Sequence, residues 1–341
     1  MIALAKTLKM LMCDLNWTYF DNPDMQTPPA SAHDWAFIDP QEYIDWHLDF
    51  GVNTFFCQAY TFNGVALYPS RFGPNAPAPG NQLLPRLYEL AQKRNIPFCS
   101  YFCVGADLFT CNVRDQWLVP GSRKMAPFGF LAPESSWTDL LCERIAEFLK
   151  AYPVEMLIFD WFVYGSLTPD YPVQPAWFVK RPFQEIIGRP MPMDAAEITQ
   201  AESLAYKREV LARQLRRIQA AVKSVSPATQ FGFNVPYWKA AEDLWVNHPM
   251  VNESDILFAE STHDDVLDWL FAVRRPHQRV STTIIGRIDG EGQCDPNSWK
   301  KWHVRGADFL GYACGTPPDF HPHLRYKADL EVVRKAYQEI G

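Results

Sequence analysis

Two carboxylates in the sequence stand directly after short apolar runs, where a charged side chain is unexpected. Asp160 closes the run Met156 to Phe159, and Glu260 closes the run Ile256 to Ala259. A carboxylate in such a place is costly unless it lies at a cleft or has a partner. Two carboxylates on one cleft suit glycoside hydrolysis. One attacks the anomeric carbon or orients a water molecule, and the other protonates the leaving oxygen.

Position alone leaves other roles open for both residues. Asp160 could be a capping or ion-paired aspartate, and Glu260 could orient a substrate or serve the fold. Asp289 and Glu291 are further candidates for the proton donor, because they follow the seventh apolar run. The spacing between the two carboxyl groups would decide the stereochemistry: about 5 to 5.5 Å suits retention and about 6.5 to 9.5 Å suits inversion.

Polar and aromatic side chains follow the other apolar runs as well. Sugar rings present hydroxyl groups at their edges and C–H groups on their faces, so hydrogen-bonding groups mixed with flat rings suit them. Any one of these aromatic residues is better explained by packing, and the prediction depends on the whole set. The predicted substrate-binding residues are Asp14, Asn16, Trp17, Gln58, Tyr60, Tyr101, Trp161, Asn234, Tyr237, Arg287, Asp289 and Tyr312.

Eight short apolar runs alternate with segments of helical periodicity, which predicts a (β/α)8 barrel formed by one domain over residues 1–341. Catalytic groups of such barrels lie at the carboxyl ends of the strands. A doubly wound sheet is disfavoured because the turn Asp14 to Thr18 has no glycine. The Pro- and aromatic-rich segment Val163 to Asp194 is predicted to be an active-site loop insertion. The predicted strands are Leu8 to Leu15, Val52 to Ala59, Pro97 to Val104, Glu155 to Phe162, Gln230 to Val235, Ile256 to Glu260, Val280 to Gly286 and Ala307 to Ala313.

Composition and charge narrow the function classes. The 341 residues are 48% hydrophobic and 21% charged, with a net charge of −7, so neither disorder nor nucleic-acid binding is expected. No stretch is long enough to span a bilayer. Of the eight cysteines, Cys13, Cys57, Cys99 and others fall in apolar runs, which favours reduced thiols and a cytoplasmic protein. A homo-oligomer remains open.

Metal chemistry has weaker support in the sequence. No H-E-x-x-H helix is present, and His321 and His323 lie in a Pro-rich loop. No metal and no cofactor are therefore expected.

Several stretches resemble the family 29 α-L-fucosidases. Residues Gly51 to Ser70 resemble the second-strand motif of that family, Ile96 to Tyr101 its third strand, and Tyr152 to Asp160 the stretch ending in its nucleophilic aspartate. Asn16-Trp17 stands where the family has His-Trp. Phe183 to Pro192 is similar to a loop of related barrel families grouped as hypothetical glycosyl hydrolases.

The resemblance covers about the first half of the chain. It implies that Asp160 is a nucleophile and that the reaction is a retaining double displacement. Asn16, Thr61 and Phe62 replace the sugar-binding histidines of the family, which leaves the sugar open. Phe62 should disfavour a hydroxyl group at its position, since an unpaired buried polar group costs about 1–3 kcal/mol.

These observations together predict an exo-acting retaining glycosidase that hydrolyses a small glycoside or oligosaccharide. Asp160 would be the nucleophile, and Glu260 is assigned as acid/base from its strand position alone. Two alternatives remain. One is a barrel that binds carbohydrate without hydrolysing it. The other, with less support, is a metal-dependent hydrolase or isomerase, which would need at least three converging His or carboxylate ligands.

Overall fold

The computed structural model describes residues 2–14, 38–124, 129–165, 171–234, 242–260, 264–284, 297, 299–314 and 324–340. Eight parallel strands form one sheet in the order β1-β8-β7-β6-β5-β4-β3-β2. Backbone N–H groups of Asn53 and Thr54 donate to the carbonyl of Lys9, which ties the β1 and β2 edges together. The predicted (β/α)8 barrel is confirmed. The strands are β1 (Lys9–Asp14), β2 (Phe55–Gln58), β3 (Phe98–Cys103), β4 (Met156–Asp160), β5 (Gln230–Asn234), β6 (Ile256–Ala259), β7 (Arg279–Ile284) and β8 (Asp308–Cys314).

Helices follow the strands and cover the outside of the sheet. Local signals fix their ends: the Asp39 side chain caps the first helix by accepting from two backbone N–H groups, and Gly51 ends it in the left-handed conformation. Among the described residues the helices are α1 (Pro40–Phe50), α2 (Leu83–Lys93), α3 (Leu108–Val113), α4 (Trp137–Ala151), α5 (Trp177–Ile187), α6 (Gln200–Val225), α7 (Glu242–Trp245), α8 (Pro249–Glu253), α9 (Asp264–Val273), α10 (Trp299–Val304) and α11 (Leu324–Ile340).

The segment 163–194 after β4 is partly helical, because it contains α5. Phe178, Val179 and Phe183 are buried on the side of α5 that packs on α6, and Gly188 ends the helix with a positive φ of 82°. Pro182 lies within this helix, which made the segment look irregular in the sequence.

Two apolar layers hold the barrel together. One fills the barrel interior with side chains that include Met12, Phe56, Tyr101, Ile158 and Phe258. The other lies between the sheet and the helices. Because side chains alternate between the two faces of a strand, Asp160 continues the inward-facing series of Met156 and Ile158.

The amino-terminal residues close one end of the barrel. The backbone N–H of Ile2 donates to the buried carboxylate of Glu155 (2.9 Å), and that of Leu8 donates to Asp308 (2.8 Å). Arg279 pairs with the same Asp308 at 2.5 Å. The opposite end, where the strands have their carboxyl termini, carries the site described below. None of the described helices is both long and apolar enough to span a membrane.

Candidate active site

Asp160 ends β4 and accepts three hydrogen bonds. Its Oδ2 accepts from the hydroxyl of Tyr101 at 2.8 Å. Its Oδ1 accepts from the backbone N–H of Trp161 at 2.6 Å and from the side-chain amide of Asn234 at 2.9 Å. These donors come from β3, from the residue after β4 and from β5. The carboxylate is thereby held in one orientation by neighbours on both sides.

Opposing effects set the pKa of Asp160. Burial raises it above its usual value, and the hydrogen bonds from Tyr101, Asn234 and Trp161 lower it. Burial also raises the pKa of the Tyr101 phenol well above its usual range, and the charges of Asp160 and Glu260 act in the same direction. Tyr101 therefore keeps its proton and donates a hydrogen bond to Asp160 at every ordinary pH.

Asn234 links Asp160 to Glu260. While its amide nitrogen donates to Asp160, its Oδ1 accepts from the backbone N–H of Glu260 at 3.3 Å. Glu260 follows β6, which pairs with β5, and its charge acts on Tyr101. The structure thus brings both sequence-predicted carboxylates to the same end of the barrel.

The backbone turns sharply directly after Asp160. Trp161 has a φ of 56°, in the left-handed region, where a bulky residue is a genuine outlier. This turn aims the Trp161 N–H at Asp160, and the Trp161 carbonyl accepts from Gly105 at 2.8 Å. A Cβ atom on Gly105 would lie 2.3 Å from that carbonyl oxygen, so only glycine fits there.

Aromatic rings pack beside the carboxylate. The indole of Trp161 contacts the rings of Phe62 and Phe130, with centroid distances of 5.0 and 6.2 Å. Phe62 and Phe130 are buried, whereas Trp161 is partly exposed. Strain in a backbone often marks a functional site, and here it sets an indole face next to a candidate nucleophile.

A buried ion pair fixes the start of α3, the helix that is hydrogen-bonded to the segment carrying Phe62. Arg144 on α4 donates to Asp107 at 2.7 Å, and both side chains are almost fully buried. Asp107 also caps α3 by accepting from the backbone N–H of Thr110 at 2.7 Å. The N–H of Leu108 then donates to the carbonyl of Phe62 at 2.9 Å, which connects the β2 and β3 loops.

The other predicted site residues are found in different places. Gln58 ends β2 and is buried. Tyr60 lies apart, in the outer layer, where its hydroxyl shares a 2.5 Å hydrogen bond with Ser70 and its ring contacts Arg144. Asp14 and Tyr312 lie on β1 and β8, but their side chains are not described. Predicted residues outside the described part of the chain are Asn16, Trp17, Tyr237, Arg287, Asp289 and Glu291.

Sequence reasoning missed several members of the site. Cys103 lies 3.3 Å from the Tyr101 hydroxyl, and the alternation along β3 could have found it, because the two residues share a face. Gly105 could have been suspected from its place just after that strand. Phe130 had no local signal, since the long loop before α4 brings it to Trp161.

Within the described ranges, no three His, Cys, Asp or Glu side chains form a group that could hold a metal ion.

Fold and site together define a (β/α)8 barrel with a hydrogen-bonded carboxylate at the carboxyl end of its fourth strand. Solved structures of α-L-fucosidases are similar to the chain. Isoenzyme 2 from Paenibacillus thiaminolyticus matches 98% of the chain with a TM-score of 0.69 and 17% identity. The α-L-fucosidase AlfC from Lactobacillus casei, in complex with its α-L-fucose product, matches 97% with a TM-score of 0.51 and 12% identity.

The extent of these matches differs. The chain spans 49% of the Paenibacillus enzyme and 94% of the Lactobacillus enzyme. No protein-family model matches the sequence, and no curated protein does. At such identities the similarity shows the fold, and at that level the resemblance to α-L-fucosidases seen in the sequence is confirmed.

Proposed function

We propose that the chain is a retaining glycoside hydrolase in which Asp160 is the nucleophile and Glu260 the acid/base. The observation that carries the proposal is the Asp160 carboxylate, held by three donors at the carboxyl end of the barrel strands. All three donors are neutral: a phenol, a backbone N–H and an amide. An aspartate with an ion-pair partner would have favoured a barrel that only binds carbohydrate. The fucosidase fold adds support.

In the first step, Asp160 attacks the anomeric carbon while the bond to the leaving oxygen breaks. Glu260 gives its proton to that oxygen, and a glycosyl ester forms on Asp160. Of the two carboxylate oxygens, Oδ2 accepts one described hydrogen bond and Oδ1 accepts two. Oδ2 therefore has the more available lone pair for the attack.

In the second step, a water molecule attacks the anomeric carbon and gives its proton to Glu260. The ester bond breaks, and its electron pair returns to Asp160. Tyr101 and Asn234 stabilise the carboxylate that leaves, since hydrogen bonds to a charged acceptor are stronger than those to a neutral ester. Burial raises the pKa of Asp160, and the same two donors offset part of that rise, so the nucleophile is ionised over more of the pH range than it would be without them.

The proposal is tested with Asp160→Asn, Glu260→Gln and a panel of 4-nitrophenyl glycosides that includes α-L-fucoside, α- and β-galactoside and arabinosides. The unmodified enzyme should turn over at least one of them. Asp160→Asn should lose activity by about 10⁴-fold or more while keeping its unfolding transition. Asp139→Asn, an exposed aspartate on α4, is the matched control and should keep full activity.

Two further measurements test Asp160 as nucleophile and the retaining course of the reaction. Azide should partly restore turnover of Asp160→Ala by replacing the nucleophile, and the product should be a glycosyl azide. Proton NMR should show that the first product of the unmodified enzyme keeps the substrate's anomeric configuration. Full activity of Asp160→Asn, or an inverted product, would overturn the assignment of Asp160 as nucleophile.

A further inference from the structure

An apolar strip leads from the site at Asp160 to the protein surface along α3. Its four residues are Trp161, Leu108, Phe109 and Val113. Trp161 packs on the ring of Phe62, the carbonyl of Phe62 accepts from the N–H of Leu108, and Phe109 and Val113 stand on the same helix as Leu108. Trp161 and Leu108 both pack against the interior cluster of the barrel and are partly exposed. Phe109 and Val113 stand one helical turn apart and are 43% and 51% exposed.

Backbone hydrogen bonds fix the strip to the aromatic group beside Asp160. The N–H groups of Leu108 and Phe109 donate to the carbonyls of Phe62 and Asn63, at 2.9 and 3.2 Å. Phe62 in turn packs under Trp161. The exposed end of the strip is therefore connected to the candidate nucleophile through rigid contacts.

Two arginine side chains hold α3 in place. Arg144 holds Asp107, which caps the helix, and Arg123 donates to the carbonyl of Cys111 at 2.7 Å. A surface that is already ordered loses little conformational entropy when a ligand binds. The strip is thus organised in advance for a ligand.

We propose that this strip is the leaving-group subsite and that it takes an aryl or alkyl aglycone. The inference rests on the proposed function, which places the sugar ring over Asp160. Trp161 directly follows Asp160 in the chain, so the strip starts beside that position, and its far end at Phe109 and Val113 is exposed. Three of its four side chains are pure hydrocarbon, whereas a sugar leaving group would need several hydrogen-bonding partners. A hydrocarbon surface of this kind matches an apolar aglycone.

The test compares two substrates of the sugar for which the panel gives turnover: its 4-nitrophenyl glycoside and its glycosyl fluoride, which has no aglycone. The variants are Phe109→Ser and Val113→Ser. Val304→Ser is the matched control, because Val304 is 86% exposed at the end of α10, just before β8 begins at the opposite rim. Phe109→Ser and Val113→Ser should each raise KM for the nitrophenyl glycoside about 5- to 10-fold, with kcat nearly unchanged.

Kinetic constants for the fluoride should stay the same in all variants, and Val304→Ser should match the unmodified enzyme with both substrates. An unchanged KM for the nitrophenyl glycoside in both variants, or an equal loss with the fluoride, would overturn the subsite and leave the hydrolase proposal standing. A similar loss with a disaccharide of the same sugar would show that the strip holds a sugar instead. If the unmodified enzyme turns over no member of the panel, the proposed function fails, and the inference fails with it.

Discussion

The side-chain amide of Asn234 lies 2.9 Å from Oδ1 of Asp160, and its oxygen accepts from the backbone of Glu260 at 3.3 Å. One short side chain thus touches the candidate nucleophile and fixes the backbone of the candidate acid/base. Asp160 ends β4 and Glu260 directly follows β6. Asn234 ends β5, the strand between them, and is therefore well placed to hold their separation. That separation decides between retention and inversion.

Asn234→Ala should lower kcat/KM by about 100-fold, the usual cost of removing one preorganised donor from a charged group in an active site. It should also raise the pKa of Asp160, because one of the bonds that lowers this pKa is lost. The acidic limb of the pH–rate profile should therefore move to higher pH. Asn252→Ala on α8 is the control. An unchanged rate and an unmoved acidic limb would contradict the role of Asn234.

Tyr101→Phe removes the only described donor to Oδ2 of Asp160 while keeping the ring that fills the barrel. We expect kcat to fall by about 10- to 100-fold and the acidic limb to move to higher pH, for the same reason. Steady-state kinetics between pH 4 and 9 would measure both effects. Tyr88→Phe, which alters a hydroxyl on α2, should change neither. A normal profile for Tyr101→Phe would show that its hydroxyl only fills space.

Much of the fold could be predicted from sequence because the strands of a parallel barrel are buried on both faces. The helical periodicity of residues Pro40 to Phe50 and Asp264 to Val273 predicts two helices, and α1 and α9 have these bounds. Strand ends were less accurate: the run Val52 to Ala59 yields a strand of only Phe55–Gln58. Asn53 and Thr54 donate to Lys9 on β1 instead of joining the ladder with β3, and periodicity carries no information about such a partner.

The site was predictable to the extent that strands position it. Asp160, Tyr101, Asn234 and Glu260 lie together because each stands on or directly after a strand that faces one end of the barrel. Tyr60 lies apart, since the chain leaves the strand direction after Gln58 and carries the ring into the outer layer. Contacts that loops make, such as that of Phe130, depend on tertiary folding and have no signature in local spacing.

Gly105→Ala should disturb the turn that holds Asp160, because its Cβ would lie 2.3 Å from the Trp161 carbonyl oxygen. The oxygen belongs to the backbone, so the turn must shift and the Trp161 N–H loses its aim at Asp160. We expect kcat/KM to fall by about 100-fold or more. Gly188→Ala is the control. Gly188 has a positive φ, but a Cβ atom there would meet no neighbouring atom within 4 Å, so the substitution should cost about 1 kcal/mol of stability and no activity. Equal activity in both variants would contradict the role of Gly105.

Glu134 should make the stability of the fold depend on pH. Its Oε1 accepts from the hydroxyls of Tyr164 and Tyr206, and its buried Oε2 has no hydrogen-bond partner among the described residues. Burial raises the pKa of Glu134 from 4.5 to about 7, although the two phenols lower it in part. The unfolded chain therefore releases this proton at lower pH than the folded chain. The contribution of Glu134 to stability is full below pH 4.5 and decreases by about 3 kcal/mol as the pH rises through 7.

Glu134→Gln should remove this loss, because the amide oxygen can still accept from the tyrosines and the side chain does not ionise. Urea unfolding at pH 5 and pH 8 would measure it: relative to the unmodified protein, the variant should gain about 2.5 kcal/mol between the two pH values. Tyr206→Phe should act in the opposite direction, since losing a donor to the carboxylate raises the pKa of Glu134 further and makes the decrease steeper. A constant difference between Glu134→Gln and the unmodified protein at both pH values would show that Glu134 titrates alike in the folded and unfolded chains.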